Sequence, residues 1–68
     1  MNIIEGGVFS HKKTGNFYTV LHIGRDEATE EAVAIYQRTN SPQLPVWVRP
    51  LKDFKEKFTR ALLGEPED

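Results

Sequence analysis

Phe17-Tyr18-Thr19-Val20-Leu21-His22-Ile23 is the stretch that decides the fold. Aromatic and β-branched side chains dominate it, and these suit a pleated, half-buried surface better than a helix. Upstream, Val8-Phe9-Ser10-His11 alternates apolar and polar as a strand with one wet face does. Between the two runs, Lys12-Lys13-Thr14-Gly15-Asn16 is turn chemistry, because Gly15 and Asn16 tolerate positive φ. These three segments read as a β-hairpin. Gly6-Gly7 is expected to open the ordered part, and Gly24 to break the second strand.

Downstream, Arg25 to Glu31 is polar and acidic. By itself it could begin a helix capped by Asp26 or Thr29, but between two strand-like runs it reads as a hairpin connection. Ala32-Val33-Ala34-Ile35-Tyr36-Gln37-Arg38-Thr39 is a further strand, weakened by its alanines. Asn40 to Pro45 is a loop, since Pro42 and Pro45 cannot sit in a central strand. Val46-Trp47-Val48-Arg49 is a short strand, and Pro50 suits the first turn of a helix. From there Leu51, Phe54, Phe58, Ala61 and Leu62 recur at spacings of three and four, an apolar helical stripe. Asp53 and Lys57 are placed for an i,i+4 pair on its wet side. Gly64 stops the helix, and Glu65 to Asp68 is an acidic tail.

The fold class that follows is mainly β (α+β by count). A small SH3-like, partly open antiparallel barrel with one C-terminal helix is expected, because closure removes aggregation-prone edges. The 68 residues make one domain, ordered over about 6–63 with the tail at 64–68. So short a chain buries only about 60% of its unfolded surface, so its core is thin. There is no cysteine, hence no disulfide and no thiolate metal site. His11 and His22 alone cannot build a structural zinc site. Self-association is the remaining source of margin, and a homo-oligomer is expected.

Missing cysteine fits a cytoplasmic protein. No apolar run of about 18 residues offers a membrane span, and the first residues lack the pattern of a signal peptide. Nine basic against ten acidic residues leave a net charge of −1. That argues against wrapping duplex nucleic acid, which favours a basic excess, although a local basic patch stays open.

The order of these residues resembles domain-of-unknown-function family 1653, a group of short bacterial and phage proteins. The likeness rests on Gly7, Phe9, His11, Lys13, Gly15, Tyr18, Val20, Tyr36, Trp47, Arg49, Pro50 and Phe54, and runs from about Gly7 to Phe58. Trp47-Val48-Arg49-Pro50 is its specific part. Thr14 is an extra residue in the lysine-glycine turn, and Ser41 to Pro45 stands where a glycine-rich loop belongs in the family. The resemblance implies a compact β-barrel-like domain and brings no activity with it.

Catalysis is set aside by elimination. Ser10 and Ser41 lie outside any nucleophile elbow, and there is neither a phosphate-binding glycine loop nor an HExxH motif. Acidic residues gather at Asp26-Glu27, Glu30-Glu31 and the tail, in segments expected to be solvated. No catalytic residue, cofactor or metal is assigned.

Trp47 and Arg49 are the most informative pair, since residues two apart on a strand share a face. One reading has Trp47 filling the small core, which has few other large residues, while Arg49 caps the sheet or pairs with an acid. The other makes them a recognition surface, with an apolar wall beside a planar cationic fork. His11, Lys12 and Lys13 extend that cationic edge or are simply a solvated turn. Tyr18 and Tyr36 pair across strands, or one of them stacks on a planar ligand.

With Trp47, Arg49, His11, Lys13, Tyr36 and Tyr18 as ligand-binding residues, the chain reads as a small non-catalytic binding module. Its ligand class is an anionic, ring-bearing molecule such as a nucleotide, for sequestration or sensing. The alternative is a protein–protein adaptor or self-assembling subunit that dimerises through the C-terminal helix, with Leu63 widening its apolar end. Duplex nucleic-acid binding is the weakest of the three.

Overall fold

The computed structural model describes residues 3–41 and 43–61. The elements run β1 (Val8–His11), β2 (Phe17–Arg25), β3 (Ala32–Arg38), β4 (Trp47–Pro50), α1 (Leu51–Lys57) and β5 (Phe58–Arg60). They form one antiparallel sheet in the order β4-β3-β2-β1-β5.

The first hairpin closes as its turn residues require. Gly15 takes φ 78°, its N–H donates to the His11 carbonyl at 2.7 Å, and the His11 N–H donates to the Asn16 carbonyl at 2.9 Å. The Arg25–Glu31 stretch is the expected hairpin connection. Asp26 Oδ1 accepts from the Ala28 and Thr29 N–H groups at 2.8 and 3.1 Å, so a side chain replaces a helical turn.

Gly24 does not end β2. It pairs with Val33 inside the ladder, and the Cβ position it leaves open is bordered by side-chain carbons of Ile35 and Val33 at 3.7 and 3.9 Å. The irregularity falls earlier, between Val20 and His22, where the register slips by a residue at Leu21. That bulge returns Ile23 to the inner face opposite Ala34.

The larger departure is at the C-terminal end. The apolar spacing predicts a helix through Leu62, yet α1 stops at Lys57 and Phe58 turns extended, with φ −121° and ψ 155°. Phe58, Thr59 and Arg60 pair with His11, Ser10 and Phe9. Helix and strand both suit the Phe54–Phe58 spacing. The free edge of β1 decides, because it satisfies backbone groups that a longer helix would leave it lacking. The Ala61 N–H continues that pairing to the Val8 carbonyl at 3.1 Å. Leu62, Leu63, Gly64 and the acidic tail lie outside the described residues.

The expected barrel is not closed. β4 and β5 are opposite edges of an open sheet, and α1 carries the chain from one to the other. The core sits beneath that crossing: Phe9, Val20, Ala34, Tyr36, Phe54 and Phe58, with Ile3, Tyr18, Ile23 and Leu51 packed against it. Ile3 places the beginning of the packed chain before Gly6-Gly7. Of that stripe, Leu51, Phe54, Phe58 and Ala61 are spent inside the molecule, with Phe54 and Phe58 in the core. Among the described residues no helix is long and apolar enough to cross a membrane.

Gly7 has a packing reason to be glycine. A Cβ there would lie 2.9 Å from Phe9 Cε1 and 3.1 Å from the Ile4 carbonyl oxygen. Gly7→Ala should lower stability by about 1–3 kcal/mol, as overpacking does, read as a reduced urea midpoint. Phe58→Ala should cost about 3–5 kcal/mol, comparable to the whole stability of a domain this size. Circular dichroism should then show a chain unfolded at room temperature, and Phe58→Leu should recover part of the loss.

Candidate ligand-binding face

Phe58 is the ring around which the inner face is organised. It is 1% exposed and stacks on Phe54 at 4.0 Å between centroids and 4° between planes. His11, Tyr36 and Tyr18 meet it edge-on at 4.8, 5.4 and 5.5 Å. The Arg49 guanidinium lies over the same ring, 5.6 Å from its centroid. Such edge-on contacts place positive ring edges against negative ring faces, each worth about 0.5–1.5 kcal/mol beyond area burial.

His11 and Arg49, 38 positions apart in the chain, thus touch one side chain. Register places Trp47 beside Arg49, on β4 and three strands over from His11: Trp47 pairs with Tyr36, and Arg49 with Ala34. Directly opposite residues share a face, so Trp47 and Arg49 project on the side of the buried Tyr36 and Ala34. The indole, guanidinium and imidazole stand on one face of the sheet.

Trp47 does not fill the core. It is 47% exposed, because Phe9, Tyr36, Phe54 and Phe58 already occupy the interior. Arg49 makes an ion pair: its Nη1 donates to Asp53 Oδ2 at 3.1 Å. Asp53 therefore pairs back toward β4, and the expected partnership with Lys57 gives way to this one. One guanidinium nitrogen is committed to that contact, and the side chain remains 29% exposed.

Tyr36, 5% exposed, is core, and cannot offer its face to a ligand in this arrangement. Its ring meets Tyr18 edge-on at 5.5 Å, the cross-strand aromatic pair read from sequence. Tyr18 is half-buried at the margin of that cluster. Lys13 is exposed in the turn, as is Lys12. Its link to the site runs through the backbone, since the Lys13 N–H donates to His11 Nδ1 at 3.3 Å. That bond leaves Nε2 as the imidazole nitrogen available to other partners.

Sequence reasoning missed Arg38. It lies opposite Tyr18, two residues beyond Tyr36 and on the same face, and is exposed. Its Nη2 donates to Asn16 Oδ1 at 3.3 Å. A shallow hollow beside it is lined by Gly15, Asn16, Phe17, Arg38, Thr39 and Asn40. The signal was present in the alternation Tyr36-Gln37-Arg38. Phe58 was missed as an organiser because its spacing from Phe54 reads as helix. Among the described residues no cluster of histidine and acidic side chains could hold a metal.

A family model described as "Protein of unknown function (DUF1653)" matches residues 7–62, and the chain belongs to that family. No curated protein and no solved structure matches it.

Trp47 is the single tryptophan, so its emission reports this face alone. Folded protein should fluoresce as a hydrated indole does, with little shift on unfolding, and iodide should quench it readily. A blue-shifted, unquenched emission would place the indole in the interior.

Proposed function

We propose that this member of a family without an established activity is a small non-catalytic binding module for an anionic ligand carrying a planar ring, such as a nucleotide. The observation that carries the reading is an exposed indole that the core does not use, standing on the sheet face that also bears Arg49, Arg38 and His11. Trp47 supplies the stacking surface. Arg49 and Arg38 flank it with guanidinium groups suited to phosphate or carboxylate. His11, held at Nδ1 by the Lys13 N–H and packed edge-on against Phe58, keeps Nε2 for other partners.

Preorganisation supports the reading. Arg49 is fixed between Asp53 and the Phe58 ring, so less side-chain entropy is lost when a ligand is met. Stacking and charge divide the work: a ring on an aromatic platform supplies affinity with little selectivity, and cationic groups fix the orientation. Sequestration or sensing of a free nucleotide is the role that suits so small a module.

Calorimetry with a panel of nucleoside monophosphates, triphosphates and cyclic nucleotides tests this, with quenching of Trp47 as the second readout. At least one member should bind, and Trp47→Ala should weaken it about 5- to 150-fold, the worth of one base–aromatic stack. Arg49→Gln, which removes the guanidinium held beside the indole, should weaken binding about 10- to 150-fold. A folded protein that binds no member of the panel would end the proposal.

A further inference from the structure

The edge of β4 carries a second inference, independent of any small ligand. Edge strands expose unpaired N–H and C=O groups, and most are blunted by charge, proline, brevity or a cover. β5 is protected: it has three residues, and Arg60 and Thr59 are exposed on it. β4 is different. Val46, Trp47 and Val48 are exposed large hydrophobic residues in a row, Val48 at 65%. The one charge on the strand, Arg49, is turned to Asp53.

Proline 50 fixes which backbone groups face outward. It pairs with Val33 but has no N–H, so that pair cannot exchange two hydrogen bonds. Hydrogen-bonded and non-hydrogen-bonded pairs alternate along an antiparallel ladder. The hydrogen-bonded pairs are therefore Ala34–Arg49 and Tyr36–Trp47. Val48, between them, directs its N–H and C=O away from β3 toward the open edge.

We infer that β4 pairs antiparallel with β4 of a second copy about a two-fold axis perpendicular to the sheet and passing through Val48. The outward groups of Val48 permit that register, and the side chains select it. The two Val48 residues exchange a pair of hydrogen bonds, and the next rung sets Val46 against Pro50 of the second copy. On the outer face the valines at 46 and 48 from both chains meet. On the inner face Trp47 falls opposite Arg49 of the second copy, so each guanidinium faces an indole and no like charges oppose each other. A register centred on Arg49 would set two guanidinium groups directly opposite each other, and one centred on Trp47 would put Pro45 rather than an indole opposite each guanidinium. The product is a continuous ten-stranded sheet, twice the five strands of one chain, with both binding faces on the same side.

So short a seam gives weak association, with dimer forming between about 10 μM and about 1 mM. Sedimentation equilibrium on ligand-free protein over that range should show the apparent mass rising toward double. Val48→Lys sets like charges directly opposite each other at the axis and should hold the protein monomeric throughout. Val48→Glu should do the same, and mixing the two variants should restore the dimer through opposite charges. The Val48 side chain is exposed and its N–H points away from β3, so both variants should keep the wild-type circular dichroism. A wild-type chain that stays monomeric throughout, or a Val48→Lys protein that dimerises as wild type does, would overturn the inference.

Discussion

The ring of Phe58 is the constraint on which the structure depends. It is reached only because the chain leaves its helix after Lys57 and lays Phe58 against β1. From that position the ring closes the core over Phe54, meets Tyr18 edge-on and helps to bury Tyr36. It also serves as the seat on which His11 and Arg49 are brought together. In a chain without cysteine, this one aromatic junction takes the place of a crosslink: it joins β1, β2, β3, β4, α1 and β5 through contacts to a single side chain.

That junction explains why the indole is free. Four large rings fill the interior, and a fifth would overpack a core of this size. Trp47 is therefore left on the inner face at the sheet's edge, where exposure of an aromatic surface has an energetic cost that folding does not recover. Two partners can relieve that cost, a planar ligand against the indole or a second β4 alongside it. The first lays a planar ring on the indole, and the second sets the guanidinium of another copy opposite it.

The strands were legible in the sequence because their signals are local. Alternation around Phe9, the aromatic and β-branched run of β2 and the turn glycine at 15 each depend on neighbouring residues. Gly24 misled because its cost in a strand is offset by packing of Val33 and Ile35, which are distant in sequence. The helix was overrun for a related reason. Phe54 and Phe58, four apart, satisfy a helical stripe, and only the unpaired edge of β1, some 50 residues upstream, makes the extended choice better.

The site was legible in part. The side-by-side placement of Trp47 and Arg49 follows from strand geometry alone, and His11 joins them through Phe58, which no spacing rule links to the turn. Tyr36 has the chemistry of a ligand contact but is consumed by the core, and Arg38, two residues on, shares that face and stays exposed. What sequence could not supply was which of the aromatic residues would be left over after the interior was full.

The most direct test of this account is a nuclear Overhauser map of the last strand. Phe58 ring protons should show contacts to the His11 imidazole and to both tyrosine rings, and Thr59 should show cross-strand backbone contacts to Ser10. Sequential helical contacts running from Phe54 through Arg60, without those cross-strand signals, would contradict it.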